Sequence, residues 1–197
     1  MGKINSIDTQ KIVIMALFTA IVIALQVLGV FIRFGPFAIS LVLMPIAIGA
    51  ALLGALAGAW LGLVFGFVVL ISGDAGAFLV INPAATVFVV LIKGALAGFV
   101  AGILYRAFES KNKTLAAIVA AVVCPLINTG VFILGCYIFF LPTLTEWGVA
   151  AGAVSVTAFI FLILVGANFL FELGVNIILS PAIVRLVQYR MSIKAEA

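Results

Sequence analysis

Two charged side chains lie within long apolar stretches of the sequence. Lys93 lies in the apolar run 83–104 and Glu172 in the run 157–187. If these runs cross a membrane, each charge costs about 2.5–3.5 kcal/mol at the bilayer centre, so it should face a protein interior or a watery cavity. The pair therefore predicts a buried polar pocket, which either binds a ligand or only fixes helix packing.

Amide side chains accompany the two charges. Asn168 and Asn176 lie four residues before and after Glu172, so the three side chains follow one another along one helix face. By helical rise, Lys93, Asn128, Asn168 and Glu172 all lie about 14–20 Å below the outer ends of their helices. We expect these four residues to share one pocket, with Lys93 and Glu172 as candidates for an ion pair. Asn176 lies deeper, where a structural role is expected.

Residues near the outer ends of the helices are further candidates. Arg33, Asp74 and Asn82 are expected in or beside outer loops, where they can cover the pocket. A solvated loop residue or a helix cap is an equal interpretation of each. In particular, Asn82-Pro83 is typical of a helix start, with Asn82 as the N-cap and Pro83 as the first helical residue.

Several kinds of chemistry are not indicated. The sequence has no histidine and two cysteines, Cys124 and Cys136, which lie on one predicted helix about 18 Å apart. No phosphate-binding loop and no catalytic triad pattern is present. Lys93 with Glu172 alone is a weak signal for acid–base catalysis. We expect no cofactor, no metal site, no nucleic-acid binding and no ATP hydrolysis by this chain.

The composition indicates a membrane protein. Of 197 residues, 67% are hydrophobic and 8% are charged, and the mean hydropathy is +1.49. Soluble domains carry roughly 25% charged residues. The apolar runs are long and do not alternate with polar residues, so they predict an all-α integral membrane protein in one domain, 1–197.

The hydrophobic runs predict a compact bundle of six transmembrane helices, at about 12–32, 37–54, 57–72, 83–104, 115–141 and 157–187. One helix over 37–73 would be about 55 Å long, against a hydrocarbon core of roughly 30 Å, so this stretch should fold back near 54–58. With that turn, nearly all basic loop residues lie on one side. The positive-inside rule then places both termini in the cytoplasm.

Small residues recur at intervals of four. Glycines at 54, 58, 62 and 66 form one ridge, and those at 94, 98 and 102 form another, so two helices can approach closely. Ala16, Ala20 and Ala24 form a smooth stripe on the first helix. Such a stripe suits docking of another helix, from this chain or from a partner, although alanine is also common in membrane helices.

The chain resembles the substrate-binding S components of energy-coupling factor (ECF) transporters, especially those for vitamins. The resemblance rests on six short helices in 197 residues, the Ala16-x-x-x-Ala20 motif and a polar outer loop before the fourth helix. It also rests on segment 45–66, on Ser72-Gly-Asp with Asn82-Pro83, and on segment 168–172 with Asn176.

The resemblance implies a subunit without enzymatic activity in a prokaryotic plasma membrane. It would bind a vitamin or related micronutrient from outside, for import powered by a membrane coupling subunit and two cytoplasmic ATPases. Ala16 and Ala20, extended by Ala24, would contact the coupling subunit. The family's pocket would include Lys93, Asn128, Asn168, Glu172 and Asp74.

The resemblance leaves the ligand open. Lys93, with Arg33, suits a carboxylate or phosphate, as in pantothenate or folate, but neutral riboflavin is equally suitable if Glu172 neutralises Lys93. Two other functional classes also remain: a small membrane enzyme acting on a lipid-like substrate, and a structural subunit whose polar cluster sets packing.

Overall fold

The computed structural model describes residues 6–29, 31, 33–34, 37–38 and 41–196. The described part of the chain is almost entirely helical: α1 (Ser6–Gly29), α2 (Leu43–Leu53), α3 (Ala55–Ile71), α4 (Gly76–Ile81), α5 (Pro83–Glu109), α6 (Lys113–Phe139), α7 (Leu141–Ala150), α8 (Val156–Ala158), a π-helical segment (Phe159–Leu164) and α9 (Gly166–Glu196). Between α1 and α2, the two-residue strands β1 (Arg33–Phe34) and β2 (Phe37–Ala38) form an antiparallel pair.

Three helical segments of the described chain are long and apolar enough to cross a membrane: Thr9–Gly29, Pro83–Glu109 and Lys113–Phe139. Val156–Leu164 and Asn168–Ile183 make a fourth if these parts, bent by 43°, are one span. The protein is therefore a helical multi-pass membrane protein. The count of six spans and the cytoplasmic position of both termini stay predictions.

The second predicted span, 37–54, differs most from the structure. Its first residues lie in β2, and the helix α2 has only 11 residues. Such a helix is about 16 Å long, so α2 cannot cross a core of roughly 30 Å by itself. Every residue from Leu43 to Ala50 is buried, which means that α2 lies inside the bundle.

The turn between α2 and α3 lies at Gly54, within the interval 54–58 in which a fold-back is predicted. Gly54 has φ +101°, a conformation that residues with a side chain rarely adopt. The Arg106 guanidinium lies against the same residue, so a methyl group added at Gly54 would be 2.5 Å from its Nη2 atom. This contact places the start of α3 beside the end of α5.

The two predicted glycine ridges pack against each other, as the spacing predicts. A methyl group added at Gly58 would collide with the backbone of Gly98, and one added at Gly62 would collide with Gly94. The helices α3 and α5 are thus antiparallel and separated by little more than their backbones. α1 and α2 pack against α3, and α6 packs against α5, whereas α9 packs mainly against α6 and α2.

The ends of α5 follow from local capping. The Asn82 side chain accepts a hydrogen bond from the Ala85 N–H at 3.1 Å, and Pro83 is the first helical residue, which confirms the predicted helix start. The helix continues to Glu109, beyond the predicted end of the span at 104. α6 begins in the same way, because Asn112 accepts a hydrogen bond from the Leu115 N–H at 3.0 Å.

The chain after α6 contains more helical segments than the sequence predicts. The stretch 141–155, predicted as a connection, includes the ten-residue helix α7. The predicted span 157–187 is not one regular helix, since α8, the π segment and α9 follow one another with a bend before α9. α9 continues to Glu196.

Candidate functional site

A cavity of about 90 Å³ lies between α1, α3, α5, α6 and α9. One water molecule needs about 10–15 Å³, so the cavity accommodates several waters or part of a small ligand. Its polar lining residues come from four helices and the turn before α4: Gln26, Asp74, Thr86, Lys93, Asn128, Thr129, Asn168 and Glu172. Its aromatic lining residues are Phe65, Phe78, Phe132, Phe140 and Phe169.

The cavity brings together five of the seven binding residues predicted from the sequence, namely Asp74, Lys93, Asn128, Asn168 and Glu172. The other two are Asn82 and Arg33. Asn82 is not among the lining residues, and its side chain caps α5. The backbone of Arg33 lies in β1, whereas its side chain lies outside the described part of the chain.

Lys93 is held by aromatic and acidic groups. Its Nζ atom lies 5.7 Å from the ring centre of Phe65 and 5.2 Å from that of Phe132. Cation–π contacts of this kind contribute up to about 2 kcal/mol when the cation is desolvated. The carboxyl groups of Glu172 and Asp74 line the same cavity, where a negative charge favours the Lys93 ammonium. These contacts offset the cost of placing its charge inside the bundle.

Glu172 lies at the centre of a polar ladder on α9. The Asn168 side-chain nitrogen donates a hydrogen bond to Glu172 Oε1 at 3.3 Å. One turn further along, the Asn176 side-chain nitrogen donates to the backbone oxygen of Glu172 at 2.8 Å. Asn176 does not line the cavity, in agreement with the structural role expected for it. The predicted common face of the three side chains is confirmed.

Three buried oxygen atoms beside the cavity have no hydrogen-bond partner among the residues that the structure describes. They are the Oδ1 atoms of Asp74, Asn128 and Asn168. Burying such an acceptor without a partner costs about 1–3 kcal/mol, so buried polar atoms are normally satisfied by protein, water or ligand. All three residues line the cavity, so a molecule with N–H or O–H donors that reaches these oxygens would supply the missing partners.

Gln26, Thr86 and Thr129 are lining residues that the sequence interpretation missed. Gln26 is only 2% exposed, although it lies on the first helix amid apolar residues. The rule that selected Asn168, a polar side chain inside an apolar run, would also have selected Gln26. Thr86 lies two turns before Lys93 on one face of α5, and its hydroxyl donates to the Asn82 backbone oxygen at 2.8 Å.

A cluster of aromatic rings covers one side of the cavity. Phe78, on the short helix α4, is 3% exposed. Its ring packs edge-on against three others, with distances between ring centres of 5.0 Å to Phe140, 5.5 Å to Phe132 and 5.8 Å to Trp147. Phe78, Phe132 and Phe140 line the cavity, whereas Trp147, on α7, lies behind Phe78. The helices α4 and α7 are therefore joined over the site by ring contacts.

The π segment forms part of the cavity wall. The Val165 N–H donates to the Ile160 oxygen, five residues earlier, at 3.0 Å, and Leu164 and Val165 line the cavity. Single π-helical turns within helices occur frequently at functional sites. Gly166 is needed at the bend, because an added methyl group would be 2.6 Å from the Phe161 oxygen.

The alanine stripe lies on the outside of the bundle. Ala16, Ala20 and Ala24 are all exposed. Ala16 and Ala20 line a shallow apolar groove beside Trp60, whose indole N–H donates to the Thr19 hydroxyl at 3.3 Å. Within the described residues, the stripe is available for contact with lipid or with a helix of another chain.

Among the side chains that the structure describes, no group of three or more histidine, cysteine or acidic residues could hold a metal ion. Cys124 and Cys136 are both buried free thiols. The Cys124 thiol donates to the Leu43 oxygen at 3.6 Å, a contact between α6 and α2 within the core.

A family model described as "ECF transporter, substrate-specific component" matches residues 10–184. The match therefore includes every residue that lines the cavity and the whole alanine stripe. Searches of curated proteins and of solved structures gave no significant match. The family comprises substrate-binding transporter subunits rather than enzymes, and its members associate with a membrane coupling subunit and ATPases. The chain belongs to the family of substrate-specific components of ECF transporters.

Proposed function

We propose that the protein binds a vitamin or related micronutrient, of the riboflavin, pantothenate or folate class, in the cavity around Lys93. The supporting observation is that Asp74, Lys93, Asn128, Asn168 and Glu172 line one cavity. They come from four separate parts of the chain, and the Oδ1 atoms of Asp74, Asn128 and Asn168 have no hydrogen-bond partner within the described residues.

The cavity supplies complementary contacts for a small polar molecule with a ring. Phenylalanine side chains provide flat apolar walls, on which a ring can stack. Lys93, the two carboxylates and the amides orient the ligand by hydrogen bonds and charge. No bond in the ligand needs to change, so we expect one-to-one binding without chemical conversion.

The partners proposed for this subunit follow the family. A membrane coupling subunit contacts the stripe of Ala16, Ala20 and Ala24, and two cytoplasmic ATPases provide the energy. The protein functions in a prokaryotic plasma membrane with both termini in the cytoplasm. The ligand enters from the outer side, where α4 and α7 are expected.

A comparison of two variants tests the binding site. Riboflavin, pantothenate and folate are titrated into the purified protein in detergent, and the dissociation constant of any ligand that binds is measured for Lys93→Ala and for Asn176→Ala. We expect Lys93→Ala to weaken binding by at least about tenfold, since it removes a charged contact, and Asn176→Ala to change it much less.

Equal and small effects of the two substitutions on a bound ligand would contradict the proposed site. Conversion of a ligand to a product during the titration would favour the enzymatic alternative. If none of the three compounds binds, this choice of vitamins is wrong, and the search for material bound during expression becomes decisive.

A further inference from the structure

We propose that the ligand of this cavity is a planar molecule without net negative charge, and that its N–H or O–H groups donate hydrogen bonds to Asp74, Asn128 and Asn168. The proposal specifies the ligand of the same cavity and therefore rests on the proposed function. It favours neutral and cationic heterocycles over carboxylate-bearing ligands such as pantothenate and folate.

The orientation of the Asn168 amide shows that its free position accepts hydrogen bonds. Its nitrogen donates to Glu172 Oε1 at 3.3 Å, and a carboxylate oxygen accepts hydrogen bonds. The amide nitrogen must therefore face Glu172, which leaves Oδ1 as the buried atom without a partner in the described structure. An oxygen only accepts, so the group that completes this site is a donor.

Asp74 also requires a hydrogen-bond donor, and here the two ends of the side-chain group cannot be confused, because a carboxyl group has two oxygens and no nitrogen. Its Oδ1 atom is buried and has no partner within the described residues, and an ionised carboxylate is purely an acceptor. Asn128, which is 6% exposed, adds a third oxygen on a different helix. Three residues with such an oxygen, from the turn before α4, from α6 and from α9, thus line one cavity.

The charges of the lining residues also disfavour an anionic ligand. The described lining includes one basic side chain, Lys93, and two acidic side chains, Asp74 and Glu172. Both carboxylates already attract Lys93, as do the electron-rich faces of Phe65 and Phe132. An anionic ligand would have to compete for this ammonium and would also lie near two like charges, where water screens repulsion weakly.

The aromatic walls specify the shape. Phe65, Phe78, Phe132, Phe140 and Phe169 line the cavity, whereas donors and acceptors come from the residues between them. A flat ring fits among such side chains by offset stacking or edge-on contact. A ring that carries amino or hydroxyl substituents satisfies both the walls and the oxygens.

A charge-sorted panel tests the proposal on the full-length protein in detergent. Thiamine, pyridoxine and riboflavin carry no net negative charge, whereas pantothenate, biotin and folate are carboxylates, and each is titrated calorimetrically under one buffer condition. We expect the tightest binder to come from the first group and to exceed every carboxylate by at least about tenfold in affinity. Tightest binding of a carboxylate would overturn the proposal but leave the proposed function intact. Failure of all six to bind would contradict the proposed function, and the ligand assignment with it.

Two pairs of variants assign the effect to the oxygens. Asp74→Asn removes one charge at constant shape, and Glu146→Gln removes the same charge at an exposed position on α7. Asn168→Ala is matched by Asn176→Ala, two turns further along α9. We expect Asp74→Asn and Asn168→Ala to lower the affinity for the tightest-binding compound by about tenfold or more. Each control substitution should lower it by less than about threefold. Unchanged affinity in Asp74→Asn and Asn168→Ala would overturn the proposal, even if Lys93→Ala abolishes binding.

Discussion

The Lys93 ammonium nitrogen lies 5.2 Å from the centre of the Phe132 ring, across the contact between α5 and α6. Glu172, on α9, lines the same cavity and attracts the same ammonium. One buried lysine thus connects three helices, although the residues involved lie far apart in the sequence. Residues on all three helices must be in place for the ligand site to exist.

Replacement of the Phe132 ring tests this contact. Phe132→Leu keeps an apolar side chain but removes the aromatic face, so we expect ligand affinity to fall by about tenfold. The matched control is Phe139→Leu, on the same helix, because Phe139 is 40% exposed and does not line the cavity. Dissociation constants from calorimetry distinguish the two. Equal affinities of both variants would show that the ring does not contribute to the site.

The alanine stripe predicts a separation between ligand binding and complex formation. Ala16→Trp combined with Ala20→Trp fills the smooth face of α1, so we expect loss of co-purification with the coupling subunit and loss of uptake, with ligand affinity unchanged. Leu134→Trp with Ile138→Trp is the matched control, since these residues are 61% and 69% exposed and also four apart. Normal assembly of the alanine double variant would contradict the docking surface.

The glycine contact between α3 and α5 predicts a large effect on stability. A methyl group at Gly62 would collide with the backbone of Gly94, so Gly62→Ala must separate the helices. We expect the free energy of unfolding to fall by roughly 1–3 kcal/mol, as is typical of overpacking at a tight contact. Gly130→Ala, where nothing lies within 4 Å of the added atom, should be neutral or slightly stabilising. Thermal unfolding in detergent measures both, and equal midpoints would refute the close packing.

The bend before α9 predicts an effect on the cavity wall. Gly166→Ala would push against the Phe161 oxygen and displace the neighbouring Leu164 and Val165, so we expect weaker ligand binding by about fivefold to tenfold. Gly174→Ala on the same helix meets nothing within 4 Å and should bind normally. Unaltered affinity in Gly166→Ala would mean that the wall tolerates a straighter helix.

The sequence predicted those parts of the site that are expensive to place in a membrane. Lys93 and Glu172 were selected because a buried charge requires a partner, and the amides at intervals of four followed from helix geometry. Gln26 was missed although it meets the same rule as Asn168, since it is a polar side chain inside an apolar run. Asn82 and Asp74 looked alike in sequence, yet Asn82 is occupied in capping α5 and only Asp74 reaches the cavity.

Parts of the fold were less predictable for physical reasons. Hydrophobic length alone suggested a second span at 37–54, but a helix buried on all sides, such as α2, is as apolar as one facing lipid. No period in the apolar run 157–187 marks the π segment. The Gly54 turn and the Asn82 cap were predictable, since each depends on one residue type at one backbone position.

Mass spectrometry of the small molecules released from the denatured, detergent-purified protein tests the central claim most directly. Cells are grown in vitamin-rich medium, and the wild-type protein and Lys93→Ala are purified and extracted in parallel. We predict one vitamin-like compound in a ratio close to one per protein chain from the wild type, and a strongly reduced amount from Lys93→Ala. Equal amounts of a ligand from both proteins, or a lipid or chemically altered product in its place, would contradict vitamin capture at the Lys93 cavity.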